Sequence, residues 1–170
     1  LFCSMVWFFI RVLISLFFLT AMAGSASAAD LIWDNNSNDG LWRTGANWWP
    51  ERRVPDNSIT TSDKAKIYWW GPVIIDSNTA AKAAFIACGD GGIYSGYGEV
   101  YMTGGTLDVS GPYDSWTILG YGASDVGTFT INGGTVTTSN RFFVGFGGKG
   151  TLNMNGGTLN IGGTFGINYN

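Results

Sequence analysis

Apolar residues recur at every second position in three stretches between residues 98 and 159. The apolar pairs with this spacing are Val100/Met102, Phe129/Ile131 and Leu152/Met154. A period of two places alternate side chains on opposite faces of a β-strand, whereas a helix repeats every 3.6 residues. We therefore predict three strands whose apolar pairs face a core and whose intervening residues, Tyr101, Thr130 and Asn153, face outward.

Each of these stretches belongs to an internal repeat. The copies begin at Gly98, Gly127 and Gly150, and each ends in Gly-Gly-Thr followed by an apolar residue. Repeats of 20 to 50 residues are typical of solenoids, in which each unit buries its apolar face against the next. A second short strand follows each glycine pair. The pair itself predicts a corner, because glycine adopts positive φ without a Cβ penalty.

A third stretch, found at residues 87–91, 118–122, 143–147 and 166–170, completes each coil. In its last copy Asn168 replaces a glycine, which predicts a left-handed backbone there because asparagine tolerates that conformation. Two ladders of inward-facing side chains are expected: Met102–Ile131–Met154 and Tyr121–Phe146–Tyr169. We predict an all-β fold over residues 64–170, a right-handed parallel β-helix (β-solenoid) of about four coils of three short strands.

The N-terminal segment has the pattern of a secretory signal peptide. An apolar run over residues 12–20 follows Arg11, and Ala26-Ser27-Ala28 supplies the small residues of a cleavage site. Residues 1–28 are therefore predicted to be removed during export. The alternative is a retained transmembrane anchor over residues 6–23, which is nearly long enough to span a bilayer.

Composition narrows the classes of function. The 170-residue chain has 26 glycines, 9 Lys or Arg, 12 Asp or Glu and no histidine, for a net charge of −3. Nucleic acid is not an expected partner, because a polyanion calls for a basic patch. Serine and cysteine triads are excluded by the lack of histidine. Cys3 falls in the leader, so Cys88 is expected to be a buried free thiol.

A tryptophan-rich segment at residues 29–63 lies between the leader and the repeats. Its motifs, in chain order, are Trp33, an Asn/Asp/Gly turn, Trp42, Asn47-Trp48, Val54-Pro55 and Asp63-Lys64-Ala65-Lys66-Ile67. This order resembles the opening module of bacterial secreted β-helical repeat proteins, namely the autotransporter-associated repeat and PEP-CTERM-type surface proteins. The resemblance implies an exported, adhesin-like surface scaffold, and no catalytic residues come with it. The Trp69-Trp70 pair and the Glu51-Arg52-Arg53 cluster lie outside the shared pattern.

The tryptophans allow two physical interpretations. In the first, the rings cap the open end of the first coil, where each ring buries on the order of 200 Å². In the second, an exposed aromatic platform stacks on sugar rings while neighbouring polar side chains bind their hydroxyl groups. Trp69 and Trp70 are the expected exposed part of such a platform, with Asp34 and Asn35 as glycan-contact residues beside them.

A β-helical polysaccharide-active enzyme, a lyase or a glycoside hydrolase, is the alternative function. Such chemistry needs carboxylates gathered into one site for acid–base catalysis or for Ca²⁺. The acidic residues here are scattered, and Asp114 and Asp125 are the pair that the long loop after Ser110 would bring together. No catalytic residue, metal ligand or cofactor is predicted, and the Gly-Gly-x-Gly-x-Asp signature of calcium-binding repeats is absent from the sequence.

The expectation is therefore a secreted or cell-surface scaffold that is not an enzyme and that contacts extracellular polysaccharide or cell-surface components. The repeats reach the last residue without a polar cap, so a further C-terminal region of the same chain, a barrel or a sorting anchor, is also an expected partner. A further alternative is binding to an ice or crystal surface by the outward ladder of Thr106, Thr135 and Thr158.

Overall fold

The computed structural model describes residues 28–58, 62–93, 95–112 and 115–169. Within these ranges the regular structure consists of fifteen β-strands and a 3-10 helix at Gly45–Asn47. The strands are β1 (Asp30–Trp33), β2 (Trp48–Trp49), β3 (Lys64–Ile67), β4 (Val73–Ile75), β5 (Ala80–Ala83), β6 (Phe85–Cys88), β7 (Tyr97–Met102), β8 (Thr106–Val109), β9 (Trp116–Leu119), β10 (Val126–Ile131), β11 (Thr135–Thr138), β12 (Arg141–Phe146), β13 (Lys149–Met154), β14 (Thr158–Ile161) and β15 (Phe165–Tyr169). No helix in the same ranges is long and apolar enough to cross a bilayer. The predicted signal peptide lies outside the described residues.

The strands form three sheets that run along one solenoid. Sheet A has the order β15-β12-β9-β6-β3-β1-β2, sheet B the order β13-β10-β7-β4, and sheet C the order β14-β11-β8-β5. Neighbouring strands are parallel, except for the antiparallel pair of β1 and β2. The chain visits the three sheets in turn, so β3 to β14 make four coils of three strands. The predicted β-solenoid is confirmed.

Repeated residues lie beside their counterparts in the neighbouring coils. Ile131 pairs with Met102 on one side and with Met154 on the other. Ile131 and Met102 are fully buried, whereas Met154 is 46% exposed. The difference arises because β13 is the outer strand of sheet B in the described residues, so no further coil covers Met154 there. This predicted ladder is confirmed, with its last member open to solvent.

Backbone crowding explains the glycine pairs. The second glycine of each pair has positive φ: +70° at Gly105, +84° at Gly134 and +77° at Gly157. A Cβ on Gly134 would lie 2.5 Å from the carbonyl oxygen of Gly105. Another residue would meet both this clash and the left-handed backbone penalty. The left-handed position predicted for Asn168 is also confirmed, with φ of +51°, where Gly145 has +80°.

The outer face of sheet B is less uniform than the alternation predicts. Thr130 lies on that face but is only 8% exposed, because Tyr101 and Asn153 flank it on the neighbouring strands. The side-chain amide of Asn153 donates a 3.2 Å hydrogen bond to the Thr130 hydroxyl. Stacking of the coils therefore buries side chains in the middle of the outer face as well as those in the core.

The expected inward ladder of Tyr121, Phe146 and Tyr169 is wrong. Tyr121 is 42% and Tyr169 is 55% exposed, and none of the three belongs to the buried core cluster. Each ring directly follows a glycine or asparagine with positive φ, which interrupts the alternation and turns the next side chain off the inner row. The rings pack on one another outside the core instead, with centroids 5.7 Å apart for Tyr121 and Phe146 and 5.4 Å apart for Phe146 and Tyr169.

The cap contains a cluster of buried indole rings. Trp33, Trp42 and Trp48 are fully buried, and Trp48 meets the other two edge to face at centroid distances of 5.1 and 4.8 Å. The Trp48 indole N–H donates to the carbonyl of Trp42 at 2.9 Å. Trp49 differs from these three, because half of its side chain is exposed. The geometry supports the capping interpretation for the buried three.

The cap extends two of the three sheets beyond the first coil. In sheet A, β1 lies beside β3, so that Leu31 pairs with Ala65. Over sheet B, Leu41 forms a parallel bridge with Ile74 of β4. The cap segment that carries the tryptophan cluster therefore forms a partial coil, whose backbone pairs with the first complete coil.

A buried ion pair fastens the cap to the start of the repeats. Asp63 is fully buried, and both of its carboxylate oxygens accept hydrogen bonds from the Arg53 guanidinium, with Nη2 to Oδ1 at 2.8 Å. The backbone N–H groups of Ala29 and Asp56 donate to the same carboxylate at 3.1 and 3.0 Å. Asp63 belongs to the motifs shared with secreted β-helical repeat proteins, whereas Arg53, which binds it, does not.

Two buried threonines and a cysteine are polar or titratable groups inside the solenoid. The hydroxyls of Thr117 and Thr138, both fully buried, are 2.9 Å apart and form a hydrogen bond across the core. Cys88 is a buried free thiol, as predicted, and its burial raises its pKa to about 12. It is therefore uncharged at neutral pH and packs as a small apolar side chain.

We expect Ile131→Asp to abolish cooperative thermal unfolding, because it buries a carboxylate in the middle of the inner ladder. Thr135→Asp is the matched control. Thr135 lies four residues on in the same coil, is partly exposed, and pairs with two threonines on the outer face. Its midpoint in a circular dichroism melt should change little. Similar losses in both variants would contradict the assigned faces.

Arg53→Met should lower the free energy of unfolding by about 3–5 kcal/mol, because it leaves the buried Asp63 carboxylate without its counter-charge. Arg43→Met provides the comparison. Arg43 pairs with Asp76 at 3.1 Å on the surface, where its side chain is 45% exposed, and such pairs contribute less than about 1 kcal/mol. Urea unfolding of both variants measures the difference, and equal costs would argue against a fastening role for Arg53.

Candidate functional site

Two exposed tryptophans form the turn between β3 and β4. Trp69 is 53% and Trp70 is 68% exposed. Their φ angles are +70° and +66°, and Gly71 follows with +85°. The Trp69 backbone N–H donates to the carbonyl of Tyr97 at 2.8 Å, which ties the turn to β7.

This backbone conformation is costly for the two tryptophans. Residues with a Cβ pay roughly 1–2 kcal/mol in the left-handed region, and a bulky side chain there is a genuine outlier. Strain of this kind persists where the surrounding structure holds it, and it is concentrated at functional sites. The turn gains no core burial in return, because both indoles project into solvent. Trp69 and Trp70 are therefore the exposed aromatic pair that the sequence predicts.

The tryptophan pair forms one wall of a cleft of about 390 Å³. Its lining residues are Trp69, Trp70, Gly71, Ser95, Tyr97 and Glu99. Volumes of this size accommodate small ligands, and such sites are usually mostly apolar with a few polar groups that orient the ligand. We name this feature the Trp69–Trp70 cleft.

The polar side of the cleft comes from β7. The phenol of Tyr97 donates a 2.7 Å hydrogen bond to a carboxylate oxygen of Glu99. That hydrogen bond raises the pKa of Tyr97, so the phenol keeps its proton at neutral pH. The two side chains thus present a neutral hydroxyl and a carboxylate next to the indole rings.

Sequence reasoning missed Ser95, Tyr97 and Glu99 as neighbours of the tryptophans. One signal was present: β7 begins three positions before Val100, the first residue of the apolar pair, so its alternation places Tyr97 and Glu99 on the outer face. The turn that brings Trp69 beside Tyr97 depends on pairing between coils, which a local pattern does not reveal.

The other two predicted contact residues lie in the cap turn and do not line the Trp69–Trp70 cleft. Asp34 forms an ion pair with Arg52 and accepts a hydrogen bond from the Asn36 N–H at 3.2 Å. Asn35 has φ of +46°, and its side-chain oxygen accepts from the Gly40 N–H at 2.9 Å. Both side chains therefore shape the cap turn. Their contact with glycans stays a prediction.

Asp39 organises the same turn. Its carboxylate accepts hydrogen bonds from the Leu41 N–H at 2.9 Å, the Thr44 hydroxyl at 2.7 Å and the Asn47 amide at 2.7 Å. Desolvation raises the pKa of Asp39, but these hydrogen bonds outweigh that effect and hold the pKa below its ordinary value of 3.8. The ionised form is the one that holds the turn together.

The carboxylate considered for catalysis is also engaged by the backbone. Asp125 is 4% exposed, and its oxygens accept from the N–H groups of Gly96 at 2.7 Å, Gly122 at 2.8 Å and Gly91 at 3.4 Å. Its expected companion, Asp114, lies outside the described residues. In the described ranges no group of three His, Cys, Asp or Glu side chains is placed to hold a metal ion.

Comparisons of this chain with protein families, with curated proteins and with solved structures give no match. The function proposed below therefore depends on the residues themselves.

Asp39→Ala should lower the thermal midpoint at neutral pH, and the gap from the unaltered chain should close in acid. Because the folded pKa lies below the unfolded one, the carboxylate stabilises the fold above about pH 4 and loses that effect as the pH falls through the folded pKa. Melts between neutral pH and about pH 2 measure the gap. A gap that stays constant across this range would contradict the role of the ionised form.

Trp70→Gly should leave the thermal midpoint unchanged or raise it, because glycine relieves the left-handed strain at an exposed position. Trp49→Gly is the matched control, since Trp49 is a half-exposed tryptophan in strand β2, where glycine destabilises. The control should melt lower than the unaltered chain. Equal decreases of the thermal midpoint in the two variants would show that Trp70 stabilises the fold, and would contradict a functional reason for its strained backbone.

Proposed function

We propose that this chain is an exported, non-catalytic β-solenoid scaffold of the cell surface or extracellular space, adhesin-like, which contacts glycans through the Trp69–Trp70 cleft. The observation that carries the proposal is the pair of tryptophans held in a strained left-handed turn and projected into solvent. A purely structural turn at this place would favour glycine or asparagine.

The chemistry of the cleft supports glycan contact. Indole and phenol rings offer flat apolar faces that match the C–H face of a sugar ring, and they lose little entropy on binding because their side chains have few rotamers. Ser95, Tyr97 and Glu99 add hydroxyl and carboxylate groups that pair with sugar hydroxyls. One wall binds by stacking and the other by hydrogen bonds, as small-ligand sites usually do.

The proposal of export comes from the leader at residues 1–28, with its apolar run and Ala-Ser-Ala site. The scaffold part is supported by the repetition itself, since stacked coils present long regular surfaces. The proposal that the chain is not an enzyme is supported by Asp125, the carboxylate considered for catalysis. It accepts hydrogen bonds from three backbone N–H groups and so has a structural role.

A glycan array probed with the full chain tests this function. Binding is expected on at least one class of glycan, and the double variant Trp69→Ala/Trp70→Ala should weaken it at least about tenfold, the equivalent of 1.4 kcal/mol. Trp49→Ala should bind as the unaltered chain does. Retention of binding in the double variant would place the contact elsewhere.

The same preparation tests the non-catalytic part. Polysaccharides that bind on the array are incubated with the chain, and the solution is assayed for unsaturated uronate and for new reducing ends. We expect binding without turnover. Turnover that disappears in Asp125→Ala would replace the scaffold with a β-helical polysaccharide-active enzyme.

A further inference from the structure

We propose that the Trp69–Trp70 cleft selects an organic ammonium group, and that its glycan ligand is an amino sugar with a free, protonated amine. This inference rests on the proposed function and names the chemical class of its ligand. It follows from the combination of aromatic rings and a single charge that line the cleft.

Three aromatic side chains line the cleft. Within the described part of the chain, the rings of Trp69, Trp70 and Tyr97 make no contact with another aromatic ring or with a cationic side chain. Cations are attracted to such faces, tryptophan most strongly, and aromatic cages of this composition bind substituted ammonium groups. Ten other aromatic rings in the described ranges pack against one another, whereas these three side chains are each more than half exposed.

The charge of the cleft has one sign. Glu99 is the charged member of the lining, and the lining contains no lysine or arginine. Among the described residues its carboxylate has one hydrogen-bond partner, the Tyr97 phenol, which is a neutral donor. The negative charge is therefore left for a cation to neutralise.

Basic side chains in the vicinity are paired or distant. Lys66, at the end of β3, is held by Asp30 at 2.9 Å and Asp90 at 3.7 Å. Lys149 lies on the same outer row of sheet B as Tyr97 but two strands away, about 9.6 Å by strand spacing. Neither residue lines the cleft.

These charges discriminate among glycans. A uronate or a sulfated sugar would bring an anion against Glu99, and a neutral sugar would gain nothing from the charge. The ring and the ammonium group of a protonated amino sugar can both pack on the aromatic faces. Its positive charge can also pair with the Glu99 carboxylate. A quaternary ammonium headgroup shares the cation chemistry without the sugar.

The test measures quenching of tryptophan fluorescence and calorimetric binding with three probes on the full chain. The probes are a glucosamine oligosaccharide at a pH well below the pKa of its amine, the matching N-acetylglucosamine oligosaccharide, and choline. The amine oligosaccharide should bind at least about tenfold more tightly than its acetylated counterpart. Raising salt from about 0.1 M to about 1 M, which shortens the Debye length from about 10 to about 3 Å, should weaken binding of the two cationic probes and leave that of the acetylated oligosaccharide unchanged.

Glu99→Gln is the decisive variant. It keeps an oxygen for the Tyr97 phenol and removes only the charge, so it should abolish the preference for the amine while preserving the thermal midpoint. Trp49→Ala is the control for exposed tryptophan, and it should change neither the preference nor the affinity.

Each outcome has one meaning. Equal binding of both oligosaccharides, unchanged in Glu99→Gln, overturns the ammonium inference and leaves glycan contact in place. Binding of choline alone supports the cation site and overturns its assignment to an amino sugar, and the glycan array then decides separately whether the proposed function survives. No binding of any probe overturns the inference, and the glycan array then decides separately whether the proposed function survives.

Discussion

The constraint on which the structure depends is the exact superposition of one coil on the next. Parallel pairing fixes the spacing of neighbouring coils at about 4.8 Å, and the backbone therefore passes close to itself at every corner. A Cβ at Gly127 would lie 2.1 Å from the carbonyl oxygen of Cys88, and one at Gly98 would lie 2.2 Å from that of Ile67. Glycine at these two strand positions is a steric condition for the stack.

Stacking has consequences beyond the core. Side chains at equivalent positions come to lie beside one another on both faces of each sheet, so the outer rows acquire contacts of their own. Thr130 loses nearly all of its exposure in this way, and the rings of Phe146 and Tyr169 stack nearly parallel. A strand with a neighbour on only one side gains less coverage. Met154, on the outer strand of sheet B in the described residues, keeps its place in the inner ladder and is exposed.

Much of the architecture is predictable from the sequence, because each repeat carries the same short-range signals for its strands and corners. The Gly-Gly-Thr corners, the inner ladder through Ile131 and the left-handed Asn168 follow from spacing and from backbone sterics. The ladder through Tyr121 was misassigned because a positive φ before each ring breaks the period of two. The pairing of Arg53 with Asp63 and the approach of Glu99 to the tryptophans depend on contacts between coils. The tryptophan pair was visible in the sequence, but the left-handed turn that projects it was not.

The central claim is the register of the stack, and it is tested most directly by nuclear Overhauser effects between methyl groups on the inner ladder. The account predicts cross-peaks from the Ile131 methyl groups to the Met102 and Met154 methyl groups, because Ile131 pairs with both. Cross-peaks from Ile131 that reach only residues of its own coil, with none to either methionine, would contradict it.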